Sequence, residues 1–427
     1  MTSAMLRRID VRGQGLADIE IPRPRVAEEP PVAAVREIIA AVRAGGDAAL
    51  RALTAQFDGA TIGDLRVPPS ACQAALAALP GELRAAMEEA RANIEAYHRA
   101  QLHDAATFER DGIRVREVRR PVARAGCYVP RHLLSTVLMT AVPARVAGVD
   151  EVVLCTPPGP DGSVSPEVLG AAALAGVDEV YRVGGAQAVA AMAFGTESVG
   201  PVDVIVGPGN VYVSVAKREV AGFVGVPSSF AGPSEVVVVA DGSAAAEYAA
   251  IDLMVQVEHG ADSVAWLVAW DSEVADAIVE VVGKLLESAP RRAVIEANLE
   301  ANAYVALVDG PAEAIALVNR IAPEHLELMT SAPEELLPLV RNAGAVFCGP
   351  FAPASVGDYV AGPNHVLPTY GSARWAGALR VDDFQKHIHV VSLDEDVLAR
   401  LAPHVAAMAE AEGLPTHAES VRIRGTR

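Results

Sequence analysis

The hexapeptide AGVDEV occurs twice, at residues 147–152 and again at 175–180, with a period of 28 residues. Each copy follows a helical pattern and opens an apolar strand that runs into a Gly- or Pro-rich turn. Between the copies, SPEVLGAAALAG reads as a helix, with Ser165 as its cap, Pro166 in its first turn and Gly176 at its end. A third strand, VDVIVG, follows at 202–207. Short apolar strands alternating with helices of this size predict an α/β fold with a parallel, doubly wound sheet, in which ligands bind at the carboxyl ends of the strands. Here those ends are VGGAQ (183–187) and VGPGN (206–210).

Neither turn is a G-x-G-x-x-G fingerprint, because GPGNVY carries Tyr212 where the third glycine belongs. Both turns nevertheless place backbone N–H groups and an amide side chain, Gln187 or Asn210, where a helix begins. That arrangement suits a phosphate or ribose. It is equally compatible with ordinary strand-to-helix turn chemistry.

Around this segment the first 120 residues read as helices, including ELRAAMEEARANIEAYHRA, where Leu83, Met87, Ala90, Ile94 and Tyr97 recur at helical spacing. Beyond residue 230 come further strands and helices, SEVVVVAD among them, and from about 393 a C-terminal piece with two short helices. A chain of 427 residues that is 51% hydrophobic but only 4% aromatic can bury two or more aliphatic cores. The net charge of -19 argues against nucleic acid or an anionic membrane as partner. MTSAMLRRIDVRG lacks the apolar core of a signal peptide and no apolar run is long enough to span a bilayer, so a soluble, cytoplasmic protein is expected. Cys72, Cys127, Cys155 and Cys348 form no C-x-x-C pair, which leaves nitrogen and oxygen as the donors for any metal.

Seven of the ten histidines lie beyond residue 258. In IAPEHLELM (321–329), Pro323 predicts the first position of a helix, with Glu324 and His325 in its first turn. The positive end of the helix dipole would keep Glu324 ionised and His325 neutral near pH 7. The plainer alternative is a capping glutamate beside a surface histidine. In DLMVQVEHGADS, Gln256 and His259 are three residues apart on one face of a helix that Gly260 would end, so both can reach one metal ion. VGDYVAGPNHVLPT adds Asp358 and His365, and EAEGLPTHAE adds Glu412 and His417. Imidazole and carboxylate suit zinc when no thiolate is at hand. His98, His103, His132, His387, His389 and His404 read as ordinary hydrogen-bonded or exposed histidines.

VGGAQAVAAMAFGTESV, VDVIVGPGNVYVSVAKREV, AGPSEVVVVAD, QVEHGADS, APEHLEL, VGDYVAGPNHVLPT and EGLPTHAESVR together, in this order from residue 183 to 422, resemble the histidinol dehydrogenases. The resemblance implies an NAD-dependent, cytoplasmic enzyme that oxidises L-histidinol through the aldehyde to L-histidine, with one zinc ion per subunit, in a domain-swapped homodimer. By the same resemblance the zinc ligands fall on Gln256, His259, Asp358 and His417, and the catalytic pair on Glu324 and His325. Substrate contacts fall on Ser234, His365 and Glu412 together with His325 and the zinc ligands, and NAD contacts on Tyr128, Gln187 and Asn210. His325 would take the alcohol proton as hydride leaves, and Glu324 would activate the water that attacks the aldehyde.

The expected organisation is two Rossmann-like domains without the standard glycine fingerprint, plus a small helical C-terminal domain. Residues 1–120 and 231–385 would form the substrate and zinc domain, 121–230 the NAD-binding domain, and 386–427 the swapped segment. Two stretches depart from the family pattern. YVPRHLLSTVLM is about three residues shorter than usual and runs straight to Arg131 and His132 where glycines are customary, and LPTYGSAR has Tyr370 where glycine is usual. The competing readings are a relative acting on another small alcohol, a zinc hydrolase using Glu324 as base without a nucleotide, and a binding protein without activity.

Overall fold

The computed structural model describes residues 5–16, 19–23, 30–227, 232, 234–258, 260 and 262–425. From the N-terminus, strand β1 (Arg7–Asp10) precedes helix α1 (Val32–Asp58), strand β2 (Arg66–Val67) and helices α2 (Pro69–Ala78) and α3 (Gly81–Arg99). A hairpin of β3 (Thr107–Arg110) and β4 (Ile113–Pro121) follows. The first βα run comprises β5 (Arg124–Tyr128), α4 (Leu134–Ala147), β6 (Glu151–Cys155), α5 (Pro166–Ala175), β7 (Glu179–Tyr181), α6 (Gly185–Phe194), β8 (Val204–Val206) and α7 (Val211–Val220). The second opens with β9 (Glu235–Ala240), α8 (Ala246–Val257), β10 (Val264–Ala269), α9 (Ser272–Ser288) and α10 (Arg292–Asn302). It continues through β11 (Ala303–Leu307), α11 (Pro311–Ile321), β12 (His325–Met329), α12 (Pro333–Leu336), β13 (Ala345–Cys348) and α13 (Ala354–Tyr359). Strand β14 (Gln385–Ser392) and helices α14 (Glu395–Ala411) and α15 (Pro415–Arg422) complete the described chain.

Two larger sheets organise most of these elements, and a third, antiparallel sheet runs β14-β4-β3. Of the larger two, one runs β2-β7-β6-β5-β8, parallel except for β2, and the other runs β1-β11-β10-β9-β12-β13, parallel throughout. Helices cover both faces of each, so the central strands are buried on both sides and read as unbroken apolar runs such as VVLC and VVVVA. The AGVDEV repeat has a structural meaning. In each copy the glycine, Gly148 or Gly176, caps a helix in the left-handed region, and the residues after it lead into β6 or β7. Ser165 caps α5 through the Val168 N–H, as its position predicts.

The first 120 residues hold strands as well as helices. Strand β1 forms the edge of the six-stranded sheet, β2 joins the five-stranded sheet, and α1 packs Val35, Ile38, Val42 and Leu50 against the buried face of α6. The β3–β4 hairpin turns at Asp111 and Gly112, with φ of 50° and 79°. An Asp-Gly pair is a strong hairpin signal, because both central residues of the tightest hairpin turn need positive φ. Strand β14 pairs with β4, so the C-terminal segment is anchored to this N-terminal hairpin. After β8, Gly207 adopts φ +102°, and a Cβ there would lie 2.1 Å from the Tyr128 carbonyl oxygen. Only glycine lets the two strand ends approach so closely.

Candidate active site

IAPEHLELM does not begin a helix. Helix α11 ends at Ile321, Ala322 caps it at φ 53°, and the chain leaves through Pro323 into strand β12. Proline just beyond a helix end is as natural as proline at a helix start, and five buried residues are too few for periodicity to separate strand from helix. On the strand, Leu326 and Leu328 face the α11 core, while Met329, two and four residues beyond Glu327 and His325, faces the α8–α9 core. No helix N-terminus lies at the pair, and other contacts hold it.

Two of those contacts come from the backbone of one residue, Glu235. The Glu235 N–H donates to Glu324 Oε2 at 3.0 Å, and the Glu235 carbonyl lies 3.3 Å from His325 Nδ1. Parallel pairing of β9 with β12, His325 beside Val236, sets this register. The two side chains also approach each other, Nδ1 to Oε2 at 3.7 Å, and His325 Nε2 lies 3.3 Å from Asp358 Oδ1. Burial pushes the Glu324 carboxyl up to about 7 against the pull of His325. For His325, burial lowers the basicity, but Glu324 and Asp358 outweigh it and raise the imidazole to about 9. The expected neutral ring is thus replaced, in this arrangement, by one that two carboxylates hold protonated.

The remaining candidates distribute as follows. Asp358 lies on α13, and its backbone carbonyl accepts from His365 Nδ1 at 2.9 Å, while His365 Nε2 is 3.2 Å from Thr136 Oγ1. A cleft of about 250 Å³ is lined by Ser234, Glu324 and His365 from one sheet and by Gly207, Asn210 and Lys217 from the other. Gln256 is buried in the last turn of α8, which ends before Gly260. His259 lies outside the described residues. Glu412 and His417 are exposed on the α14–α15 hairpin, which packs on itself through Ala406, Ala409 and Ala418. Among the described residues no three His, Cys, Asp or Glu side chains are grouped so as to hold a metal ion. The fold thus brings Glu324, His325, Asp358 and His365 together, and His417 stays outside that group.

A larger cavity of about 670 Å³ opens at the carboxyl ends of β5, β7 and β8, where Tyr128, Gln187 and Asn210 line it with Asp58, Gly185 and Tyr212. Tyr128 accepts from the Gly185 N–H through its hydroxyl, and Asn210 caps α7 by accepting from Val213. Gln187 is 1% exposed, yet neither end of its amide has a hydrogen-bond partner among the described residues. This buried amide, in the first turn of α6, is free to meet a group placed in the cavity. Asn210 lines both the cavity and the cleft, so the two adjoin.

Reading motifs alone missed four polar groups. Glu235 supplies both backbone groups that grip the pair, and its own carboxylate meets Arg23 and the Tyr370 N–H. Asp252 and Glu327 are buried beside the pair's strand, and Lys217 is buried in the cleft wall with its ammonium donating to the Gly207 carbonyl. Burial draws Lys217 down to about 7. The available signal was a charged residue inside an apolar run, as in SEVVVV, HLELM and SVAKREV, since such residues are seldom buried without a task.

A profile of the family described as "Histidinol dehydrogenase" matches residues 21–425. The chain is 46% identical over 429 aligned positions to a histidinol dehydrogenase of Synechococcus sp., covering 98% of this chain and 99% of the relative. The crystal structure of histidinol dehydrogenase from Elizabethkingia anophelis superposes with a TM-score of 0.94 at 35% identity, covering 98% of both chains. An acetylating aldehyde dehydrogenase from Geobacillus thermoglucosidasius shares the fold at a TM-score of 0.50 and 15% identity, over 84% of this chain and 96% of its own.

Proposed function

We propose a mechanism from one premise: the chain belongs to the histidinol dehydrogenase family and oxidises histidinol in the biosynthesis of histidine. The observation that carries the mechanism is the double grip of the Glu235 backbone, its N–H on Glu324 and its carbonyl on His325. Because a carbonyl can only accept, His325 Nδ1 carries its proton toward Glu235, and the lone pair of a neutral ring lies on Nε2. A cation held by Asp358 would withdraw one of the two carboxylates that favour the imidazolium. Nε2 then takes the proton of the substrate alcohol in the first oxidation, which yields the aldehyde. Glu324, poised near neutrality by burial, takes a proton from the water that attacks the aldehyde, and the second oxidation yields L-histidine.

The donor set fits zinc, since amide, carboxylate and imidazole are its nitrogen and oxygen ligands when thiolates are lacking. Gln256, His259 and Asp358 of one chain with His417 of a second copy would hold one ion per subunit, which would anchor the substrate's amine and imidazole. Ser234, His365 and the second copy's Glu412 complete the substrate contacts. The unpartnered amide of Gln187 fits a dinucleotide in the larger cavity with Tyr128 and Asn210, and NAD would supply the hydride acceptor there. This reading makes the enzyme a homodimer with shared sites, the hairpin of α14 and α15 being the exchanged part. Among the described residues no helix is long and apolar enough to cross a membrane, and a biosynthetic role on a small polar substrate suits the cytoplasm. The test is to supply histidinol and NAD to the purified zinc-loaded protein and count products. Roughly two NADH per histidine supports the reading. No NADH, or one with the aldehyde as end product, contradicts it.

A further inference from the structure

Beneath the catalytic strand lie two carboxyl groups that the mechanism does not use. Glu327 is 1% exposed on β12, two residues beyond His325, and Asp252 is 8% exposed on α8, one turn before Gln256. The two carboxyl groups lie against each other, each acting on the other's titration. Glu327 Oε1 also accepts the Ala354 N–H at 2.8 Å, at the start of α13, one turn before Asp358. Glu327 Oε2 has no donor among the described residues other than what Asp252 can offer. Neither group has an ion-pair partner there.

Two carboxylates buried in contact cannot both be ionised, and a hydrogen bond between two carboxyl groups requires that one carry the proton. Burial, then the facing Asp252, pushes Glu327 up to about 8, so the proton is retained near neutrality. The other titratable group that acts on Glu327 is His325 on its own strand, while α13 offers a backbone N–H. The pair therefore joins three elements at one point. Each of those elements carries, two to four residues away, one of His325, Gln256 and Asp358.

We infer that Asp252 and Glu327 form a proton-sharing carboxyl clamp that holds α8, β12 and α13 in register and so positions Gln256, His325 and Asp358. The clamp touches neither substrate nor cofactor, and both residues are positioning residues. Its catalytic consequence rests on the mechanism proposed above.

The experiment compares Glu327→Ala, Glu327→Gln and Asp252→Asn in the zinc-loaded full-length protein, following histidinol turnover and hydrogen–deuterium exchange of the peptide spanning 350–360. Glu327→Ala should release the Ala354 N–H, speed exchange there about tenfold, and lower kcat on the order of 10- to 100-fold. Glutamine keeps an oxygen for Ala354 and offers an N–H to Asp252, so Glu327→Gln should restore the protection and most of the loss in kcat. Asp252→Asn should behave as Glu327→Gln does, because its amide can donate to Glu327. Should Glu327→Ala fail to fold, the two amide variants decide the matter alone. The clamp is overturned if Glu327→Ala keeps both protection and turnover, or if Glu327→Gln is as damaging as Glu327→Ala. A wild-type protein that does not oxidise histidinol would sink the mechanism, whereas the exchange data would still judge the clamp.

Discussion

His325 Nε2 lies 3.3 Å from Asp358 Oδ1 while its other ring nitrogen faces the Glu235 carbonyl. A neutral ring would point its lone pair at the carboxylate, so the ring protonates, and its basicity rises to about 9. The same geometry delivers a base once Asp358 has another partner, because the Glu235 carbonyl still fixes which nitrogen is free.

Glu324→Gln should leave the first oxidation within a few-fold of normal and stall the second, whereas His325→Asn should cut the first about 10²- to 10⁴-fold. Single-turnover rates with histidinol and with the aldehyde supplied separately distinguish the steps. Equal slowing of both by Glu324→Gln would refute this division of labour.

Gln187→Met replaces the unpartnered buried amide by an apolar chain of similar length. The loss of a hydrogen bond worth about 1.4 kcal/mol should weaken NAD binding about tenfold in calorimetry. The unliganded protein should meanwhile melt no lower than wild type, since the amide is unsatisfied there.

Lys217 has a folded pKa near 7, below its usual 10.5. Between those values the unfolded chain binds a proton that the folded chain does not, so this residue makes stability fall as pH drops from about 10 to 7 and level off below. Lys217→Met should remove that component of the slope in urea unfolding measured at pH 7 and pH 9.5. An unchanged slope would place a charged, solvated ammonium at this position.

His132 and Tyr370 are non-glycine residues in left-handed backbone, at φ 69° and 56°. His132→Gly should therefore stabilise the fold by about 0.5–1 kcal/mol, read from the urea midpoint. Tyr370→Gly should gain less, because it also removes the ring over which the Arg23 guanidinium lies, 5.3 Å from its centroid.

Local chemistry made the first βα run legible. Ser165, Pro166 and Gly176 act where their intrinsic preferences place them, and the turns carrying Gln187 and Asn210 open α6 and α7 as read. Pro323 misled because its ring suits both a helix start and the residue after a helix end, and only pairing with β9 decides between them. Strand pairing is a long-range fact, so the grip of Glu235 on residues some ninety positions away has no local signature. The Asp111-Gly112 hairpin, by contrast, did have one.

His417 sits on an exposed hairpin, apart from Glu324, His325 and Asp358, and Met408, Leu414 and Ile423 of the same hairpin are exposed apolar residues. A second copy would have to bring His417 to the site, and mixed dimers test this most directly. His325→Asn and His417→Ala homodimers should each be nearly inactive, because every site holds one lesion. After dissociation and random reassociation about half the dimers are mixed, and in each of these both lesions fall in one site and the other is intact. Activity should then recover to about a quarter of the wild-type value. Verified mixed dimers with no recovery would contradict the shared site and require the hairpin to serve its own chain.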